Sequence, residues 1–169
     1  AYNIYREDVT NVYTLIGTVP YDSLSEYHDT DAVANPNATT KRYKISVVDT
    51  CGNEGPKSNF HNTIYIVGNG SGQFTWNPLY TIEGSANPVN NYVLMRDNNS
   101  DGNWNIAAIT AGTQNTLVDP SFASFPNASY RVETLWSISC NPTRGAINTS
   151  RSNIKSPTSV VGIKNNVSA

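Results

Sequence analysis

Tyr2-Asn3-Ile4-Tyr5-Arg6 returns ninety residues later as Tyr92-Val93-Leu94-Met95-Arg96. Reading outward, Asp29 matches Asp119 at the same offset, and Tyr43-Lys44-Ile45 matches Tyr130-Arg131-Val132 at 87. Cys51 matches Cys140 at 89, and Lys57-Ser58-Asn59-Phe60 matches Arg151-Ser152-Asn153-Ile154 at 94. An offset that drifts by only a few residues describes one unit repeated with changes in loop length. A period near 90 is too long for a solenoid and suits a β-sandwich of about 100 residues.

The local patterns agree. Arg42 to Val48 alternates with period two and puts Tyr43, Ile45 and Val47 on one face. Further strands are expected over Tyr13–Val19, Asn62–Val67, Gln73–Asn77, Asn91–Arg96, Trp104–Ile109, Asn115–Val118, Ser129–Leu135 and Ser150–Lys155. Turn chemistry separates them, as at Asn35-Pro36-Asn37, Gly52-Asn53-Glu54-Gly55-Pro56 and Asp101-Gly102. The 169 residues include 23 Asn, 17 Ser and 17 Thr but five Glu, five Lys and one Met, which excludes a helical bundle. A net charge of −2 gives no footprint for nucleic acid or an anionic membrane. No apolar run approaches the roughly 20 residues of a membrane-spanning helix. The expected division is 1–67, 68–157 and a C-terminal linker over 158–169, with the first boundary near Gly68-Asn69-Gly70-Ser71-Gly72. That linker is short, so the last strand of the first unit runs almost directly into the second.

Trp76 in an early strand, Tyr92 in the Tyr-x-Leu-x-Arg strand and Tyr130 in the long alternating strand resemble the core pattern of fibronectin type III domains. The run from Tyr43 to Glu54, then His61-Asn62-Thr63-Ile64, looks like the tandem fibronectin type III-like modules of Bacteroidetes secreted and surface proteins. Cys140-Asn141-Pro142-Thr143 and Thr149 to Ile154 add to the likeness, which covers about residues 2 to 156. It implies an all-β chain of two tandem immunoglobulin-like sandwiches. Against that pattern the first unit starts at its third strand and lacks its N-terminal strands, leaving part of a core exposed. Upstream sequence of the same polypeptide is the expected cover. Such modules often precede a type IX secretion sorting domain, and Thr158 to Asn166 is similar to the linker before it.

What the resemblance implies is a non-catalytic structural or adhesive module of a secreted or cell-surface bacterial protein, exported by type IX secretion. Its partners would be upstream domains, the export machinery or surface ligands, with no nucleic acid and no membrane insertion. The alternative is an accessory, carbohydrate-binding segment of a secreted hydrolase.

Candidate chemistry is sparse. His28 and His61 have no Ser or Cys placed near them by the sequence, and no carboxylate pair shows the spacing of an acid–base dyad. No catalytic residue and no resident cofactor is therefore expected. Asp97-Asn98-Asn99-Ser100-Asp101-Gly102 has the alternating oxygens of a calcium loop at Asp97, Asn99 and Asp101. The distal Glu is replaced by Ala108, and a plain hairpin loop is the competing reading. Trp136 follows the long strand with no matched aromatic in the first unit, so it is the candidate for stacking on a ligand sugar; Trp104, which mirrors Tyr13, reads as packing. In the bacteria of this resemblance O-glycans are attached at Asp-Ser/Thr before an apolar residue, and Asp22-Ser23-Leu24 offers Ser23. Cys51 and Cys140 hold equivalent positions in separate units. A disulfide needs Cα atoms within about 7 Å, so free or externally paired thiols are favoured over a bond between them.

Overall fold

The computed structural model describes residues 1–77, 80, 88–138 and 149–156. Cys140, the motif following it and the 158–169 segment lie outside the described residues. Strands β1 (Tyr2–Val9), β2 (Val12–Val19), β3 (Arg42–Val47) and β4 (His61–Asn62) form an antiparallel sheet in the order β2-β1-β3-β4. The β1–β2 hairpin turns through Thr10-Asn11. Asn11 takes φ 63°, which its short polar side chain tolerates, and its N–H donates to Glu7 Oε1 at 2.8 Å.

The remaining strands make two three-stranded sheets. One is β5 (Ile66–Gly68), β6 (Gln73–Trp76) and β9 (Thr116–Val118), in that order. The other is β10 (Ser129–Trp136), β7 (Val89–Asp97) and β8 (Trp104–Ala111), with β7 central. Their inward residues share one core. Ile66, Phe74 and Trp76 come from the first, Tyr92, Leu94, Tyr130 and Val132 from the second, and none is more than 4% exposed. Rings meet across it, Phe74 on Tyr130 at 4.4 Å and Trp76 on Tyr92 at 4.9 Å between centroids. Each such pair is worth about 0.5–1.5 kcal/mol beyond its burial. The architecture is thus all-β and sandwich-like, with no α-helix among the described residues.

Two expected strands come out differently. Asn62–Val67 is divided between sheets: His61–Asn62 pairs with β3, whereas Ile66–Gly68 pairs with β6. Ser150–Lys155 follows β10 through separated bridges rather than a continuous ladder. Lys155 and Tyr130 exchange backbone bonds at 2.6 and 2.8 Å, and Ser152 N–H donates to Val132 O at 2.9 Å. Between those contacts the Ser152 hydroxyl accepts from the Val132 N–H at 2.8 Å and donates to Asn153 O, so the side chain stands in for the ladder. The matched Ser58 does the same to Ile45, accepting its N–H at 3.1 Å and donating to Asn59 O. Asn153, buried beside this segment, accepts from Ile66 N–H at 2.8 Å and so fastens β5 to the far edge.

The four-stranded sheet keeps the same cross-strand register. Tyr2 faces Val47, Ile4 faces Ile45 and Arg6 faces Tyr43, as Tyr92 faces Thr134, Leu94 faces Val132 and Arg96 faces Tyr130. Burial differs sharply: Val132 and Thr134 are at most 1% exposed, whereas Ile45 is 38% and Val47 57% exposed. Among the described residues no second sheet lies over this face. Ser25 to Tyr27 border it, the Tyr21 ring lies 6.2 Å from that of Tyr2, and Tyr27 packs so close to Gly17 that a Cβ there would come within 2.3 Å of the ring.

Candidate functional site

The polar groups with the most elaborate surroundings form two matched clusters. In the first, Arg6 on β1 donates from Nη1 to both oxygens of Asp29 at 3.0 Å, from Nε to Asp8 at 2.8 Å and from Nη2 to Asp31 at 3.1 Å. Tyr43 on β3 donates its hydroxyl to Asp29 at 2.8 Å. In the second, Arg96 on β7 donates from Nη1 to both oxygens of Asp119 at 3.0 and 2.8 Å and from Nε to Asn98 at 2.7 Å. Tyr130 on β10 donates to Asp119 at 2.8 Å. Each Asp also caps the backbone two residues on, Asp29 at Asp31 N–H and Asp119 at Ser121 N–H. Each cluster therefore ties a strand, its neighbour and the loop that leads into that neighbour, β2–β3 in the first and β9–β10 in the second.

Their electrostatics follow from this geometry. Burial alone would raise the Asp119 carboxyl, but the Arg96 guanidinium, the Ser121 N–H and the Tyr130 hydroxyl outweigh it and hold it below the usual range. Burial, reinforced by the Asp119 charge, pushes Tyr130 well up; burial and Asp29 do the same to Tyr43. Hydrogen bonds that Arg6 donates to Asp8 first, then to Asp29 and Asp31, outweigh its burial and raise it further. Asp119, Tyr130, Tyr43 and Arg6 are thereby held in one charge state across the neutral range, which suits a fixed brace and not proton transfer.

The sequence-read candidates fall elsewhere. Asp97 is 3% exposed and closes the β7–β8 loop: Oδ1 accepts from Asp101 N–H at 3.1 Å and Oδ2 from Gly102 N–H at 2.7 Å. Gly102 (φ 93°) and Ser100 (φ 56°) supply the left-handed positions of that turn. A cation at Asp97, Asn99 and Asp101 would compete with both amides. Among the described residues, no three His, Cys, Asp or Glu side chains converge as a metal site. Trp136 is half-buried, its ring 5.7 Å from Tyr80 and tilted by 40°. Tyr80 in turn bonds His61 Nε2 at 2.9 Å. Burial lowers His61 and raises Tyr80, so the pair stays neutral. Trp104 lies under the Arg131 guanidinium at 4.0 Å, and its counterpart Tyr13 lies under Lys44 at 4.7 Å. Ser23 is exposed in a turn, its N–H donating to Pro20 O at 3.2 Å. Cys51 is exposed in the loop after β3.

Sequence reasoning matched Arg6, Asp29 and Tyr43 to Arg96, Asp119 and Tyr130 one by one and did not join them. The signal was present, since the arginine and aspartate keep an offset of 90 and a spacing of 23, with the tyrosine following at an offset of 87. The His61–Tyr80–Trp136 contact had no such signal. In comparison with known proteins, no family model and no curated sequence matches this chain.

Proposed function

We propose that the chain is a pair of fibronectin type III-like sandwiches serving as a non-catalytic structural or adhesive module of a secreted or surface-displayed bacterial protein. The single observation that carries this is the Arg–Asp–Tyr brace built twice, with the same atoms bonded in each half. Buried charge is spent on rigidity in both units, and rigidity is what a spacer or display module requires. In this reading the first unit spans 1–67 and consists mainly of one sheet, the second spans 68–157, and Ile66 to Gly68 crosses over as a shared connection. Upstream polypeptide completes the first unit, and type IX export delivers the whole to the surface.

The test is to map the native product. N-terminal and intact-mass analysis of surface and culture fractions should find this segment joined to further extracellular domains and followed by a sorting signal. Recovery from the cytoplasm without either would refute the reading. Trp136 as a sugar platform is checked separately on a glycan array, where loss of a signal in Trp136→Ala would assign it a binding role.

A further inference from the structure

The open face of the four-stranded sheet is the feature that the brace and the repeat leave over. In the second unit the equivalent face is covered by β5 and β6, whose Phe74 and Trp76 alternate onto Tyr130 and Tyr92. There β6 also pairs with β9, Thr75 with Thr116 and Phe74 with Leu117. By the 90-residue offset the counterpart of β9 is Glu26-Tyr27-His28, which forms no strand. Beside it lies a groove of about 290 Å³ whose floor is Tyr2, Ile4, Val19 and Ile45 and whose loop side is Ser25, Glu26 and Tyr27. On the opposite face of the same sheet Tyr5 and Ser46 both donate to Glu54 and Lys57 sits 3.8 Å over the Tyr5 ring, while Leu15, paired with Tyr5, is half exposed. The groove thus lies on the face whose matched residues form a core ninety residues on.

We propose that this face is an acceptor for an extended polypeptide segment from outside these 169 residues, with apolar side chains at alternate positions and aromatics at two of them. The segment pairs its backbone with residues 26–28 and seats its rings in the groove, as β6 does between β5 and β9. Strand addition of this kind draws affinity from main-chain bonds and selectivity from alternate side chains. The occupant's chemistry is read from the molecule itself, because Phe74-Thr75-Trp76 already fits the same surface in its second copy. The inference rests on the two-unit reading and adds to it what the first unit takes up.

The probe is a fluorescein-labelled synthetic peptide of residues 63–77, titrated into the whole chain and followed by anisotropy and by hydrogen exchange. Saturable one-to-one binding is expected, with new amide protection at residues 26–28. Replacing both Phe74 and Trp76 of the peptide by Ser should abolish it. Ile45→Asp and, separately, Val47→Asp in the protein should each weaken it by about tenfold or more, since a carboxylate would be buried against rings. Val47 is 57% exposed, so that variant keeps its fold if Ile45→Asp does not. Three results overturn the proposal: no binding up to about 1 mM peptide, protection confined to residues 116–118, or protection of 26–28 that rises with protein concentration alone and so identifies a second copy as occupant. If the free chain still exchanges as two units while the peptide fails, the acceptor idea falls and the two-unit reading stands.

Discussion

Replacing Asp119 by Asn should be among the most damaging single-atom changes in this protein, and the same change at Asp29 should not. The Asp119 side chain is fully buried, and its Arg96 partner is 12% exposed. Asn keeps the shape and one accepting oxygen but removes the charge, leaving the guanidinium with neutral partners: that oxygen, Asn98 and the Phe125 ring 3.8 Å away. Breaking a buried pair this way costs about 3–5 kcal/mol. Arg6 is more deeply buried, at 4% exposed, but retains Asp8 and Asp31 when Asp29 is neutralised, so that loss should be about that of one charged hydrogen bond, roughly 1.5–3 kcal/mol. The assay is urea unfolding. Trp76, Trp104 and Trp136 all lie in the second half, so indole emission reports Asp119→Asn directly, and far-ultraviolet dichroism follows the whole chain. A fall in the midpoint on the order of 2 M is expected for Asp119→Asn, taking a slope of about 1–2 kcal/mol/M. Equal losses below about 1 kcal/mol at both positions would refute the view that the braces carry buried charge.

Three further outcomes follow from the same geometry. Gly112→Ala should cost about 1–3 kcal/mol, because the added Cβ would lie 1.8 Å from Val89 O and must push the start of β7 aside; the thermal midpoint should fall by roughly 5 °C or more, and an unchanged midpoint would contradict the close approach. Stability should fall on both sides of neutral pH, first on the acid side through the buried His61, whose lowered folded value costs the protein stability below about pH 6.5. Asp119, Asp8 and Asp31 are held low, so their contribution is complete above about pH 4 and is lost as pH falls through their folded values. Tyr43 and Tyr130 are held high, so theirs is complete below about pH 10 and is lost above it; a urea midpoint constant from pH 7 down to about pH 2 would be inconsistent with this. Millimolar calcium should leave the thermal midpoint unmoved, since both Asp97 oxygens already accept amide hydrogens; a calcium-dependent rise lost in Asp97→Asn would assign the loop to a cation.

Much of the fold could be read because its strands are half-buried and alternate. Tyr43, Ile45 and Val47 were placed on one face by period alone, and the register confirms it. The crossing inside Asn62–Val67 could not be read for the same reason. Asn62, Ile64 and Ile66 are buried and their neighbours are not, so the alternation runs unbroken while the pairing partner changes from β3 to β6. Period two encodes which face is inside and carries nothing about which strand lies alongside. Ser150–Lys155 failed as a continuous strand because Ser152 replaces a ladder bond with its own hydroxyl, a competition Ser makes available but does not announce. At the candidate sites, Asp97 and Gly102 were recognised as loop chemistry, and the two readings of that loop share the same residues. The Arg6 and Arg96 braces were visible only as matched letters, since a bond between positions 23 apart leaves no periodic trace.

Residue-resolved hydrogen exchange on the unliganded chain tests the central claim most directly. Two copies of one braced unit, the second with a complete core and the first with an open face, should exchange as two cooperative groups. β7 and β10 should be the slowest, and β1 and β3 should form a separate, less protected set that Asp29→Asn accelerates without affecting β7. One cooperative group spanning both halves, or β1 and β3 outlasting β7 and β10, would contradict the account.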